Sequence, residues 1–234
     1  VTAIGAHLAR DPLLAPLLSA RPGLRVPGGW DGFEVAVRTL LCQQISLRSG
    51  SRLAEQLAHA CGQRLSSNSS SPSPSRYSQS SSSPSSALEL TFPTAAEVLR
   101  ADLAVLKMPR SRQTALRALA QAAVDDARLF QPLATVDETA ARLRAVPGVG
   151  EWTAHTIALR AAREPDAFPA SDIGLLRGAA APSGARPSPA ELSARAERWR
   201  PWRAYAAQHL WAADAEPGAG ASGSRARAIA RRQP

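Results

Sequence analysis

The sequence predicts an all-α fold. Three observations carry it: apolar residues recur at helical spacing, helix caps and Pro/Gly breaks punctuate them, and no period-2 alternation is long enough to argue for a sheet. The chain has 234 residues, 44% hydrophobic and 20% charged, enough for one sizeable core or two small domains.

In chain order, Ile4, Leu8, Leu13, Leu14, Leu17 and Leu18 predict one or two short helices broken at Asp11-Pro12, and residues 21–30 form a punctuated connector. Asp31 starts the next helix, with Glu34 three residues on as a capping-box variant and Phe33, Val37, Leu40 and Leu41 at helical spacing. Ser46 caps a helix whose apolar face is Leu47, Leu53, Leu57 and Cys61, and Gly62 suits its end. Residues 66–86 are mostly serine with proline, cannot bury a core, and are expected to be a disordered insertion. Helices follow from Thr94 to Leu99, over 101–106, 111–124 and 137–145. After ValProGlyValGly at 146–150 come helices over 151–162, 171–179, 189–198 and 201–213, the last two split by Pro201. Residues 217–234 read as a disordered basic tail.

Lys and Arg total 28 against 19 acidic residues, a formal charge of +9, which favours a polyanionic partner; free use of arginine explains it equally well. Lys107 is the only lysine. Cys42 and Cys61 fit small buried hydrophobes, and no Cys/His cluster suggests structural zinc or an iron–sulfur centre. No signal-peptide pattern and no apolar run of membrane-spanning length is visible, so the expectation is a soluble intracellular monomer with no membrane contact.

The segment LeuArgAlaValProGlyValGlyGluTrpThrAlaHisThrIleAlaLeu, 143–159, ends one helix and starts another across Pro147, Gly148, Val149 and Gly150. Both glycines are expected to adopt angles closed to other residues and to leave amide N–H groups open at a helix N-terminus, a place that attracts phosphate. An ordinary tight turn between helices is the alternative. The longer string, with Thr153-Ala154 after it, resembles the helix-hairpin-helix DNA glycosylase superfamily. Within it the chain is similar to the DNA-3-methyladenine glycosylase II type. AlaArgProGlyLeuArgValProGly (20–28), AspGlyPheGluValAlaValArg (31–38), CysGlnGlnIleSer (42–46), ProGlyValGlyGluTrpThrAla (147–154) and AlaGluArgTrpArgProTrpArgAlaTyrAlaAlaGlnHisLeuTrp (196–211) carry the resemblance in the family's order.

The resemblance implies that Asp172 is the catalytic carboxylate. An ionised carboxylate stabilises the positive charge that builds on the sugar as a glycosidic bond breaks. Capping the helix that follows is the alternative role, and Asp166, in an expected surface turn, is the nearest rival. Position 152 holds Trp152 where strand-nicking relatives place a lysine, so the resemblance implies a monofunctional enzyme that uses water and leaves an abasic strand. Plain packing would also explain Trp152. Trp152 and Trp211 are expected to wall the base pocket, with Thr156 at a position where the family often has tyrosine. Cation–π attraction would favour electron-deficient, alkylated purines. The family inserts a wedge into the duplex when a base flips out. Position by position Gln44 matches it, with Gln43 beside it, although both would also serve as helix-end caps. The hairpin phosphate site comprises Pro147, Gly148, Val149, Gly150 and Thr153. The family also implies a Na+ or K+ ion on the main-chain carbonyls of Arg144, Val146 and Val149, with no other cofactor.

Trp199 and Trp202, flanked by Arg198, Arg200 and Arg203, are read as packing residues with the arginines on the solvated side. His155 and His209 are read as surface or core histidines rather than metal ligands. The expected architecture is two helical domains with a cleft between them. Residues 1–29 pack with a smaller domain, 166–216, that carries Asp172; residues 30–165 form the larger domain ending in the hairpin. The partner is double-stranded DNA and the substrates are alkylated purines of the 3-methyladenine and 7-methylguanine type, the activity being base excision repair. The rivals are a non-catalytic hairpin module that only binds DNA and a bifunctional glycosylase/lyase acting on oxidised bases.

Overall fold

The computed structural model describes residues 2–65 and 89–215, which are helical with a single isolated antiparallel bridge, Arg64–Leu90. The serine-rich stretch 66–86 and the tail 217–234 lie outside the described residues. Gln63 and Leu65 pair with Thr91 and Glu89 (Thr91 N to Gln63 O, 2.9 Å; Leu65 N to Glu89 O, 2.8 Å), so the chain leaves and returns at one point.

Eleven α-helices are described: α1 (Thr2–Leu8), α2 (Leu14–Ala20), α3 (Gly32–Leu41), α4 (Leu47–Cys61), α5 (Ala95–Arg100), α6 (Arg110–Asp125), α7 (Val136–Arg144), α8 (Glu151–Arg160), α9 (Ile173–Gly178), α10 (Pro189–Ala196) and α11 (Arg203–Asp214). Short 3-10 turns occupy Leu103–Leu106 and Glu197–Trp199. Helix α3 is the hub: it packs on α4, α6 and α8, and burial of Val37, Leu40, Leu41, Leu116, Leu119, Leu143 and Ile157 removes their apolar surface from water. Helix α11 packs on α9 and α2.

The caps explain most boundaries. Thr94, Thr135 and Ser188 each close a reciprocal capping box with a glutamate three residues on. Asp31 caps α3 through Glu34 N (2.7 Å), but the Glu34 carboxylate turns forward to Arg38 (2.7 Å) instead of back, so the expected box is half made. Ser46 caps α4 as expected. Gly62 ends that helix in an extended conformation, and its role is close approach: an added Cβ would lie 2.3 Å from Thr91 O. Leu47 does not join the α4 core face; it stands 78% exposed in the helix's first turn. The cysteines are half-buried and free, with both thiols pushed up by burial.

Two readings at the C-terminal side need correction. Asp166 is not in a surface turn; it is buried and receives Arg203 (Nε, 2.9 Å; Nη2, 3.0 Å) and Arg200. Arg203 is therefore buried and ion-paired, whereas Arg198 is exposed. The tryptophans follow expectation: Trp199 is in the core, edge-on to Phe168, and Trp202 packs against it partly buried. His155 and His209 are both buried, and burial pushes both below the usual histidine range. No helix among the described residues is long and apolar enough to cross a membrane.

Candidate active site

The hairpin between α7 and α8 is pinned from below by Val146 and Val149, which are buried, while Pro147, Gly148 and Gly150 are exposed. Gly148 sits at φ +87°, and a Cβ there would lie 2.3 Å from Ala115 Cβ. Gly150 differs from expectation. Its φ of −85° and ψ of −179° are ordinary extended angles, and a Cβ would meet nothing within 4 Å. Gly148→Ala is therefore expected to cost about 1–3 kcal/mol of stability through strain and overlap, measured by urea unfolding. Gly150 is the N-cap of α8 with open space around it, so Gly150→Ala is expected to cost no more than about 1 kcal/mol in the same measurement.

Thr153 faces inward. Its side chain is buried, and its hydroxyl accepts the Gln43 amide (2.8 Å), which also donates to Gly148 O (3.1 Å). Thr153 thus braces the hairpin from within instead of facing solvent. Arg112 donates to Gln43 O (2.7 Å) from α6. With Gln43 held on three sides, Gln44 stands exposed in the left-handed region at φ +57°, a conformation uncommon for a residue with a Cβ. The structure separates two residues that the sequence leaves side by side: Gln43 is engaged, Gln44 projects.

The carbonyls named for a monovalent ion lie along this turn. Val146 O accepts Val149 N (3.0 Å) and keeps a second lone pair; neutral oxygens of this type suit Na+ or K+.

Asp172 is the point where three elements meet. Trp152 in the first turn of α8 donates Nε1–H to Oδ2 (2.8 Å), and Trp211 of α11 donates Nε1–H to Oδ1 (2.8 Å). Oδ1 also accepts Gly174 N (2.9 Å) and Leu175 N (3.1 Å), so the carboxylate caps α9 as well. Capping and clustering with the two indoles coexist in one side chain. Thr156 lies on the same face of α8 one turn after Trp152, and its hydroxyl donates to Trp152 O (2.7 Å), which commits its proton.

Sequence reasoning missed Arg160. It follows Trp152 and Thr156 at the same four-residue interval, and its guanidinium lies 5.0 Å from the centre of the Trp211 ring. It also donates to Pro27 O (3.2 Å), tying the connector to the site. Burial lowers its proton affinity and the Asp172 charge raises it, the first effect winning. The helical interval was the available signal; which face of α8 turns toward Trp211 was not.

Residues 1–31 match the family described as AlkA N-terminal domain. Over 209 residues, 89% of this chain, it is 37% identical to a Mycobacterium tuberculosis protein named probable bifunctional transcriptional activator/DNA repair enzyme AlkA, of which it covers 39%. It is 33% identical over 201 residues to Escherichia coli DNA-3-methyladenine glycosylase 2, covering 85% of this chain and 63% of that protein. The chain thus spans less than two thirds of the length of both. Among solved structures, a 3-methyladenine DNA-glycosylase from Archaeoglobus fulgidus superimposes with a TM-score of 0.70 at 20% identity, over 91% of this chain and 69% of that one.

Proposed function

Starting from a chain that has the helix-hairpin-helix DNA glycosylase fold, we propose that it carries a monofunctional activity that excises alkylated purines, of the 3-methyladenine and 7-methylguanine type, from duplex DNA. The observation that carries this reading is the Asp172 carboxylate held between the indole N–H groups of Trp152 and Trp211. The hairpin offers backbone amides to a phosphate, and Gln44 fills the stack as the damaged nucleotide swings out. A monovalent cation on the carbonyls of Arg144, Val146 and Val149 would add positive charge beside that phosphate. The cleft lies between residues 30–165 on one side and residues 1–29 with 166–216 on the other.

The extruded purine stacks on the indoles. A ring-alkylated purine carries positive charge, so it leaves more readily and gains cation–π attraction on the order of 0.5–2 kcal/mol. As the C1′–N bond lengthens, positive charge grows on the sugar and the fixed carboxylate of Asp172 stabilises it. The two indole donors hold both oxygens in place, so no reorganisation is needed when that charge forms. Water then attacks C1′, with Asp172 placed to take its proton.

Position 152 offers no amine, and Lys107 lies between the 3-10 turn at 103–106 and α6. No Schiff base is expected. Incubation with methylated duplex DNA is expected to release free methylpurine, to give strand breaks only after alkali, and to trap no covalent adduct with borohydride. Trapping would overturn the monofunctional reading. Tight DNA binding with no base released would favour the non-catalytic module.

A further inference from the structure

We infer that His155 is a positioning residue: in its neutral form it fastens the segment leading to Asp172 onto helix α8, fixing the carboxylate relative to Trp152. The inference rests on the role proposed above for Asp172.

His155 is one turn after Trp152 on α8 and is buried. Its Nδ1 accepts the backbone N–H of Phe168 (3.3 Å), and its Nε2 pairs with Glu151 Oε1 (2.9 Å). Accepting at Nδ1 requires the proton to sit on Nε2, so the two contacts together specify one neutral tautomer. Glu151 in turn pairs with Arg144 (2.9 Å) across the mouth of the hairpin. A continuous polar chain therefore runs from Arg144 through Glu151 and His155 to the backbone four residues before Asp172.

The segment's other bonds run elsewhere. Ala170 N to Phe168 O (3.0 Å) and Asp172 N to Pro169 O (2.8 Å) are internal to it, while on α11 Ala204 N donates to Pro165 O (3.0 Å) and Arg203 pairs with Asp166. A cavity of about 360 Å³ lies along its flank, lined by Pro169, Ala170 and Ser171 together with Trp152 and His155. Packing holds the start of the segment, where Asp166, Ala167, Phe168 and Pro169 are buried and Phe168 sits edge-on to Trp199. The Phe168 N–H bond to His155 adds the tie to α8.

Protonating His155 would set an N–H against the Phe168 N–H and break the attachment. The charged groups that line the same cavity as the ring are Glu151 on α8, Asp137 on α7, Glu197 in the 3-10 turn, Arg200 just after that turn and Arg203 at the start of α11. Burial opposes the charged ring most, Glu151 and Asp137 favour it, Arg203 opposes it, and the balance keeps the ring neutral near pH 7.

Two substitutions divide the contacts. Asparagine places an oxygen where Nδ1 stands and keeps an acceptor for Phe168; glutamine reaches toward Glu151 and loses it. In single-turnover base release, His155→Asn is expected within about threefold of wild type, while His155→Gln falls roughly tenfold, as for a lost hydrogen bond. Amide hydrogen exchange reads the attachment without relying on activity. In the unmodified protein, protection of the Phe168 amide is expected to drop as pH falls below the ordinary histidine range, since burial makes the ring harder to protonate. It is expected to persist in His155→Asn and to be lost in His155→Gln. A His155→Gln protein as fast as wild type, or Phe168 protection indifferent to pH in the unmodified protein, overturns the inference. If no base is released by any form, the glycosylase reading fails while the exchange data still decide whether His155 holds the segment.

Discussion

Asp172→Asn is expected to lower single-turnover release of methylpurine by about a thousandfold or more, with duplex binding retained. The change removes the charge that opposes the developing cation. It also alters one hydrogen bond and spares others. With the amide oxygen at the Oδ1 position, Gly174 N, Leu175 N and the Trp211 indole keep their acceptor. The amide nitrogen then faces the Trp152 indole N–H, donor against donor. Asp172→Ala removes the cap as well and is expected to lose about 1 kcal/mol of stability beyond the Asn protein. Comparing thermal unfolding and base release for the two proteins separates the capping role from the chemical one. An Asn protein that releases base at the wild-type rate would remove Asp172 from the mechanism.

Asp11→Ala is expected to destabilise the fold by about 3 kcal/mol, a fall in Tm of roughly 6–12 °C. Asp11 is buried between α1 and α2, where it accepts Leu13 N (2.8 Å), the Trp199 indole (2.9 Å) and Arg195 (Nε, 3.1 Å). Burial works against its charge, but the bonds from Arg195, Leu13 and Trp199 overcome it and bring the pKa from 3.8 to about 2. A lowered pKa means stability that is complete above the ordinary carboxylate range and lost as pH falls through about 2. That shift corresponds to about 2 kcal/mol, so the wild type should lose it in acid while the Ala protein, already without it, shows a shallower acid limb. Urea unfolding at several pH values measures both. Because α2 packs on α11, which carries Trp211, the same clamp supports the helix that brings Trp211 to Asp172.

Most helices were legible because their signals are local. Thr94 with Glu97 and Thr135 with Glu138 announce their helices within four residues, and the apolar spacing in α3 and α6 sets the buried face. The failures are long-range. Asp166 in a loop and Arg203 on a charged stretch each look solvated alone; they become a buried pair only when the chain brings them 37 residues together. Gly148 and Gly150 look alike in the sequence as glycines open to unusual angles, yet only Gly148 adopts one; the angles of Gly150 are ordinary. Trp152, Asp172 and Trp211 were found by resemblance, and no spacing within the chain foretold that both indoles would donate to opposite oxygens of one carboxylate. His155 carried no signal beyond its position one turn from Trp152.

The pairing of residues 63–65 with 89–91 has a consequence for how this chain can change. The two ends hold each other through their own backbone bonds, so a change in the length of the interval reaches the helices on either side only through residues 63–65 and 89–91. That makes the interval the place to splice in an affinity handle or a fluorescent reporter, leaving the Asp172 cluster and the hairpin in their native sequence context.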